Sequence, residues 1–82
     1  MIEVRLFATF RKAAGEKGFE TDAATVGEML SQLASRYDTG FQDQLKKATV
    51  VVNGKNAVHL KGRKTRLSDG DVVSIFPPMA GG

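Results

Sequence analysis

The chain opens with a two-residue alternation. Ile2, Val4 and Leu6 interleave with Glu3, Arg5 and Phe7, which sets the aliphatic side chains on one face of a β-strand. Residues 8–14 (ATFRKAA) predict a short helical turn stopped by Gly15, a favoured residue just past a helix end. Arg11 and Lys12 within it are expected in solvent. A second strand is predicted at residues 18–21 (GFET), carried by Phe19 alone and forming a hairpin with the first.

The pattern then changes period. Val26, Met29, Leu30, Leu33, Ala34 and Tyr37 recur at helical spacing and draw one apolar stripe opposite Glu28, Gln32, Ser35 and Arg36. Thr25-Val26-Gly27-Glu28 has the form of a capping box, so the helix is predicted over residues 25–37. Asp38-Thr39-Gly40 is expected to close it. Phe41 and Leu45 suggest a short second helix or a packed loop. Residues 49–52 (TVVV) read as an interior strand running into Asn53-Gly54, a strong turn pair because both tolerate positive φ. Residues 56–60 (NAVHL) are expected to form a short edge strand with His59 on its surface. After the 67–71 turn (LSDGD), Val72–Phe76 is a final apolar strand.

These elements predict an α+β fold: a mixed sheet of four to five strands with one main helix across one face. The first and last strands, both apolar, are the natural central partners. At 82 residues the chain is one domain, too small to enclose a catalytic cleft of its own. The domain is expected to span residues 1–76, with an extended tail at 77–82.

The tail is where candidate chemistry concentrates. Pro77 and Pro78 lack the N–H that a sheet ladder needs, so the strand ends there and the chain leaves extended. Residues 79–82 then reach about 13 Å. No charged side chain occurs from Val72 to Gly82, leaving the Gly82 α-carboxylate as the expected charge of the segment. Gly81 and Gly82 carry no Cβ, so this backbone fits a channel too narrow for other residues. A Gly-Gly end is open to two readings, a frayed terminus or a reactive carboxylate delivered into a partner. The apolar strand and double proline before it select the second. Phe76, Pro77, Pro78, Met79 and Ala80 are then the expected partner-binding surface at the tail's root.

Composition narrows the remaining choices. There is no cysteine and a single histidine, so the chain offers no thiol nucleophile, disulfide, thiolate metal site or histidine cluster; no metal site is expected. No signal peptide is evident and no apolar run approaches the length of a membrane span, so a cytoplasmic protein without a membrane partner is expected. The net charge of +3 comes from Lys61, Arg63, Lys64 and Arg66, since the remainder holds eight basic and nine acidic residues. No aromatic residue lies within that run to stack bases. It is expected to steer docking onto an acidic protein, and nucleic acid is not the expected partner.

The strand–helix order, Val52-Asn53-Gly54 in mid-chain, the 67–72 segment (LSDGDV) and the terminal FPPMAGG together resemble the MoaD/ThiS family of ubiquitin-like β-grasp sulfur carriers. The resemblance covers the whole chain. Its most specific part, FPP-x-x-GG, is most similar to the small subunit of molybdopterin synthase; thiamine-pathway carriers usually lack the double proline. Archaeal small modifier proteins share the same ending. The sequence departs from the family in Met79, where valine is common, and in the basic run, since many members are acidic.

The resemblance implies a mechanism. An ATP-dependent activating enzyme joins AMP to Gly82, a persulfide donor replaces AMP with sulfur, and the resulting thiocarboxylate enters the large subunit of molybdopterin synthase. The chain itself then supplies no catalytic site and binds no cofactor; Mg-ATP belongs to the activating partner. Other fates would keep the domain but change the acceptor: a thiamine-pathway or other small-molecule sulfur carrier, or a protein modifier joined to lysines. A nucleic-acid module resting on residues 61–66 and a purely structural domain are the alternatives of other classes.

Overall fold

A computed structural model of the chain describes residues 1–37 and 39–77, with residues 39 and 40 through their backbone only. The alternating segment forms β1 (Ile2–Leu6), whose Ile2, Val4 and Leu6 are buried while Glu3 and Arg5 are exposed. Ala8, at φ 53°, turns the chain into the short helix α1 (Thr9–Ala14), which ends on Gly15 in the left-handed conformation. Strand β2 (Gly18–Thr21) returns antiparallel to β1. A Cβ on Gly18 would lie 2.0 Å from the Val4 carbonyl oxygen, so only glycine permits this approach of the two backbones.

Helix α2 (Val26–Arg36) follows its stripe: Val26, Met29, Leu30 and Leu33 are buried, and Ala34 and Tyr37 pack at the margin. Thr25 Oγ1 accepts the Glu28 N–H at 3.1 Å, and the Glu28 carboxylate reaches back to the Ala24 N–H at 3.3 Å. The first bond satisfies a donor that the helix start leaves unpaired, and the second ties the Glu28 side chain to the residue before the cap. The helix ends because Tyr37 is extended. Thr39 and Gly40 do not close it, contrary to the expectation from their residue types; they begin α3 (Thr39–Leu45). Phe41 and Leu45 are both buried, and their four-residue spacing holds this segment helical against the core.

Strand β3 (Thr49–Val52) leads through Asn53 and Gly54, at φ 50° and 85°, into β4 (Lys55–Asn56). The edge strand predicted over residues 56–60 is shorter and earlier than expected: β4 pairs with β3 at the sheet edge only through Lys55 and Asn56. Asn56 turns its side chain to accept the Val58 N–H at 3.0 Å and caps a 3-10 turn, Ala57–His59. Burial of Ala57 holds that turn in place, and His59 is exposed in it rather than on a strand. A second 3-10 turn, Gly62–Lys64, precedes β5 (Val72–Phe76).

The sheet order is β2-β1-β5-β3-β4, with β1 and β5 parallel and every other pair antiparallel. The two strands predicted to be central partners are adjacent, and α2 covers one face. This is the ubiquitin-like β-grasp. The core between helix and sheet is apolar, and no buried side-chain polar atom among the described residues lacks a hydrogen-bond partner.

Candidate docking site at the root of the tail

Strand β5 buries alternate residues. Val73 and Ile75 are fully buried under α2, which turns Val72, Ser74 and Phe76 to the open face of the sheet. Because β1 runs parallel to β5 with Leu6 opposite Ile75, the residues after them, Phe7 and Phe76, also fall side by side. Their rings stack with centroids 4.5 Å apart and planes 12° from parallel. The Phe7 N–H donates to the Ile75 carbonyl at 3.1 Å, extending the parallel ladder by one bond.

Phe7 was legible only as an aromatic residue on the polar side of an alternating strand. That misplacement was the available signal. Arg11, expected to be solvated, sits beside the pair: its guanidinium carbon is 5.7 Å from the Phe7 ring centroid, and its Nε donates to the Leu6 carbonyl at 3.3 Å. Next to the rings lies an open hollow of about 540 Å³ along β1 and β2, bounded by Glu3, Arg5, Arg11, Lys17 and Glu20. The Glu3 carboxylate pairs with Arg5, so this rim carries both signs of charge. An apolar aromatic pair inside a charged margin has the anatomy of a protein-binding surface.

Phe76 and Pro77 are both half-buried, and Pro77 leaves the ladder. Of the other residues expected to contact a partner or react, Pro78, Met79, Ala80, Gly81 and Gly82 lie outside the described residues. Lys61, Arg63, Lys64 and Arg66 are exposed, but the fold does not bring them to Phe76 at the root of the tail. Arg66 bridges to Thr25 before α2, and the Leu67 N–H donates to Ala24. The run therefore sits at the end of the sheet where β5 begins. Phe76 is at the other end of β5, about 13 Å of strand from Val72 at ~3.3 Å per residue.

Comparison with known proteins agrees with this geometry. The ThiS family model matches residues 4–82. The chain is 44% identical over 91 residues to small archaeal modifier protein 3 of Haloferax volcanii, covering 99% of this chain and 98% of that one. Its fold matches the solution structure of small archaeal modifier protein 1 from Methanosarcina acetivorans with a TM-score of 0.82 at 30% identity, over 99% and 95% of the two chains. It also matches a chain in the complex of subunits 1 and 2 of molybdopterin-converting factor from Helicobacter pylori, with a TM-score of 0.70 at 28% identity over 99% and 97%.

Proposed function

The chain belongs to the ThiS family of ubiquitin-like sulfur carriers, and on that premise we propose that the Gly82 carboxylate is its reactive group. A free carboxylate is a poor acyl donor because its leaving group would be oxide or hydroxide. Joining AMP to Gly82 makes a mixed anhydride whose leaving group is a stable phosphate monoester. The terminal sulfur of a persulfide donor attacks the anhydride and expels AMP, forming an acyl disulfide. A second thiol then cleaves its S–S bond, leaving as a disulfide with the donor and freeing the C-terminal thiocarboxylate. In the molybdopterin reading, the chain acts as the small subunit of molybdopterin synthase. The tail then enters the large subunit and gives its sulfur to cyclic pyranopterin monophosphate, two deliveries completing the dithiolene.

The observation that carries the reading is the origin of the tail in the central strand. β5 is held between β1 and β3, so the FPPMAGG segment leaves from the most constrained backbone in the sheet, beside the stacked Phe7 and Phe76. A partner that grips this aromatic root presents the tail to its active site in one direction. The partner supplies Mg-ATP binding and the groups that stabilise charge during transfer.

A second fate is favoured by the 44% identity to a small archaeal modifier over its full length, higher than the 28% shared with the molybdopterin-converting chain. In this reading the Gly82 acyl group passes to a lysine amine and forms an isopeptide bond. Both fates require the same adenylate and the same docking root.

Intact mass after incubation with Mg-ATP, an activating enzyme and a persulfide donor tests the shared step. The expected product gains the mass of one sulfur replacing one oxygen, and the chain lacking Gly82 gains nothing. Gain of sulfur by the truncated chain would overturn the reading. Adding the large synthase subunit and the pyranopterin then distinguishes the fates by dithiolene formation. Peptide mapping of cell lysates finds the isopeptide, provided the search allows for residues 67–82 on the lysine. Arg66 is the last basic residue, so trypsin cannot trim the remnant to Gly-Gly.

A further inference from the structure

The basic run, expected to steer docking onto an acidic protein, keeps its cations exposed on a hydrogen-bonded backbone. Within it the Lys64 N–H donates to the Lys61 carbonyl at 3.0 Å and the Thr65 N–H to the Gly62 carbonyl at 3.1 Å. The Lys61 N–H donates to Thr65 Oγ1 at 3.0 Å. Thr65 is buried, and its carbonyl accepts the Val26 N–H at 3.0 Å. Gly27 lets this backbone close on α2: a Cβ there would lie 3.1 Å from the Arg63 carbonyl oxygen.

Directly before the cations stand two apolar residues that the core does not use, Val58 at 73% and Leu60 at 39% exposure. A single exposed aliphatic residue means little. Here, however, both border unoccupied space. Val58 forms one side of a groove of about 210 Å³ floored by Leu30, Leu45 and Val50, with Lys46 and Arg63 also lining it. Leu60 lines an open hollow of about 440 Å³ with Lys61, Thr65 and Arg66. None of Lys61, Arg63, Lys64 and Arg66 forms an ion pair among the described residues.

We propose that residues 57–66, with Lys46 across the groove, form a second docking surface. It receives an acidic segment of a partner protein carrying an apolar side chain. The aliphatic side chain enters beside Val58 and Leu60, while its flanking carboxylates meet Lys61, Arg63, Lys64 and Arg66. Lys46, which pairs with the exposed Asp43 at 3.9 Å, lies across the groove. An apolar centre with a charged rim of one sign selects such a segment, and the hydrogen-bonded backbone is already ordered before binding. A nucleic acid would leave Val58 and Leu60 unused. No Phe, Tyr or Trp occurs in residues 57–66 to stack a base. Because the groove opens on the helix side of the sheet, over Leu30, Leu45 and Val50, whereas Phe76 lies on the open face, it can hold a partner while the tail is engaged. It does not depend on the fate of Gly82.

The test is an amide-shift titration of the full-length, isotope-labelled chain at low salt with a synthetic peptide, Asp-Glu-Leu-Glu-Asp-Ile-Glu-Asp. A control peptide has serine in place of Leu and Ile, and an oligouridylate serves as the nucleic-acid probe. The expected result is shifts concentrated in residues 57–66 and Lys46. Binding should weaken about tenfold or more for the serine peptide and for the V58S/L60S double variant, as for loss of an interface anchor. Both substituted side chains are exposed, so the variant's thermal unfolding should match that of the native chain, and that measurement accompanies the titration. Equal binding of the two peptides would overturn the proposal, reducing the surface to its charge. So would an absence of shifts in residues 57–66. Tighter binding of the oligouridylate, insensitive to V58S/L60S, would assign the surface to nucleic acid instead.

Discussion

Phe7 and Phe76 stack face to face across the parallel pairing of β1 and β5, with centroids 4.5 Å apart. They stand at the point where the chain leaves the sheet for its tail. Both rings are half-buried, which leaves apolar surface for a partner without a large role in the core.

Phe7→Ala should therefore cost more in partner binding than in folding. The stack is worth about 0.5–1.5 kcal/mol beyond its buried area. Affinity for the activating enzyme should fall about tenfold or more, or ~1.4 kcal/mol. Titration calorimetry against that enzyme, set beside thermal unfolding of the variant, measures both. Native-like affinity would remove the aromatic pair from the docking face.

Gly81→Val should leave the domain's thermal unfolding unchanged while slowing adenylate formation on the order of a hundredfold. A misplacement of roughly 1 Å at a reacting group has that scale of effect. Single-turnover AMP transfer with the activating enzyme reads this directly. Equal rates for the variant and the native chain would dismiss the narrow-channel argument.

Leu33 is fully buried on the sheet side of α2. Leu33→Ala should destabilise the domain by about 2–5 kcal/mol, the cost of lost transfer energy plus a residual cavity. Denaturant unfolding measures it, and a change below about 0.5 kcal/mol would match a surface position instead.

Asp71 offers a pH signature. Its carboxylate accepts the Ser68 N–H at 2.8 Å and the Asn53 side-chain amide at 2.9 Å. The backbone N–H of Ser68, and after it Asn53, hold its pKa below the ordinary carboxylate value of 3.8. A carboxyl with a lower pKa when folded stabilises the fold fully above its unfolded pKa, and loses that contribution as pH falls through its folded pKa. The native chain should thus be more stable than Asp71→Asn at neutral pH, and the two melting temperatures should converge below pH 3.8. A constant difference across that range would show that the carboxylate's charge is immaterial.

Much of this molecule was present in local order. The alternation of Ile2, Val4 and Leu6 and the stripe from Val26 to Leu33 each state a period and a buried face. Thr25, Asn53 and Gly54 act on neighbours a few residues away. Pro77 ends a strand through its own missing N–H. Such features are read along one dimension because the physics that sets them acts between near neighbours.

The tertiary structure decided what meets across distance. Phe7 became part of the tail's root only because β1 lies parallel to β5, a pairing between segments separated by most of the chain. Beyond Asn56, residues 57–59 became a 3-10 turn instead of continuing the edge strand when the Asn56 side chain took the Val58 N–H and Ala57 found a place in the core. The basic run was plain as composition. Its distance from Phe76 followed from Arg66 and Leu67 pairing with the residues before α2. Periodicity states which face a residue prefers. Which residues share that face depends on strand order, which brings the buried residues of β1, β3 and β5 together under α2.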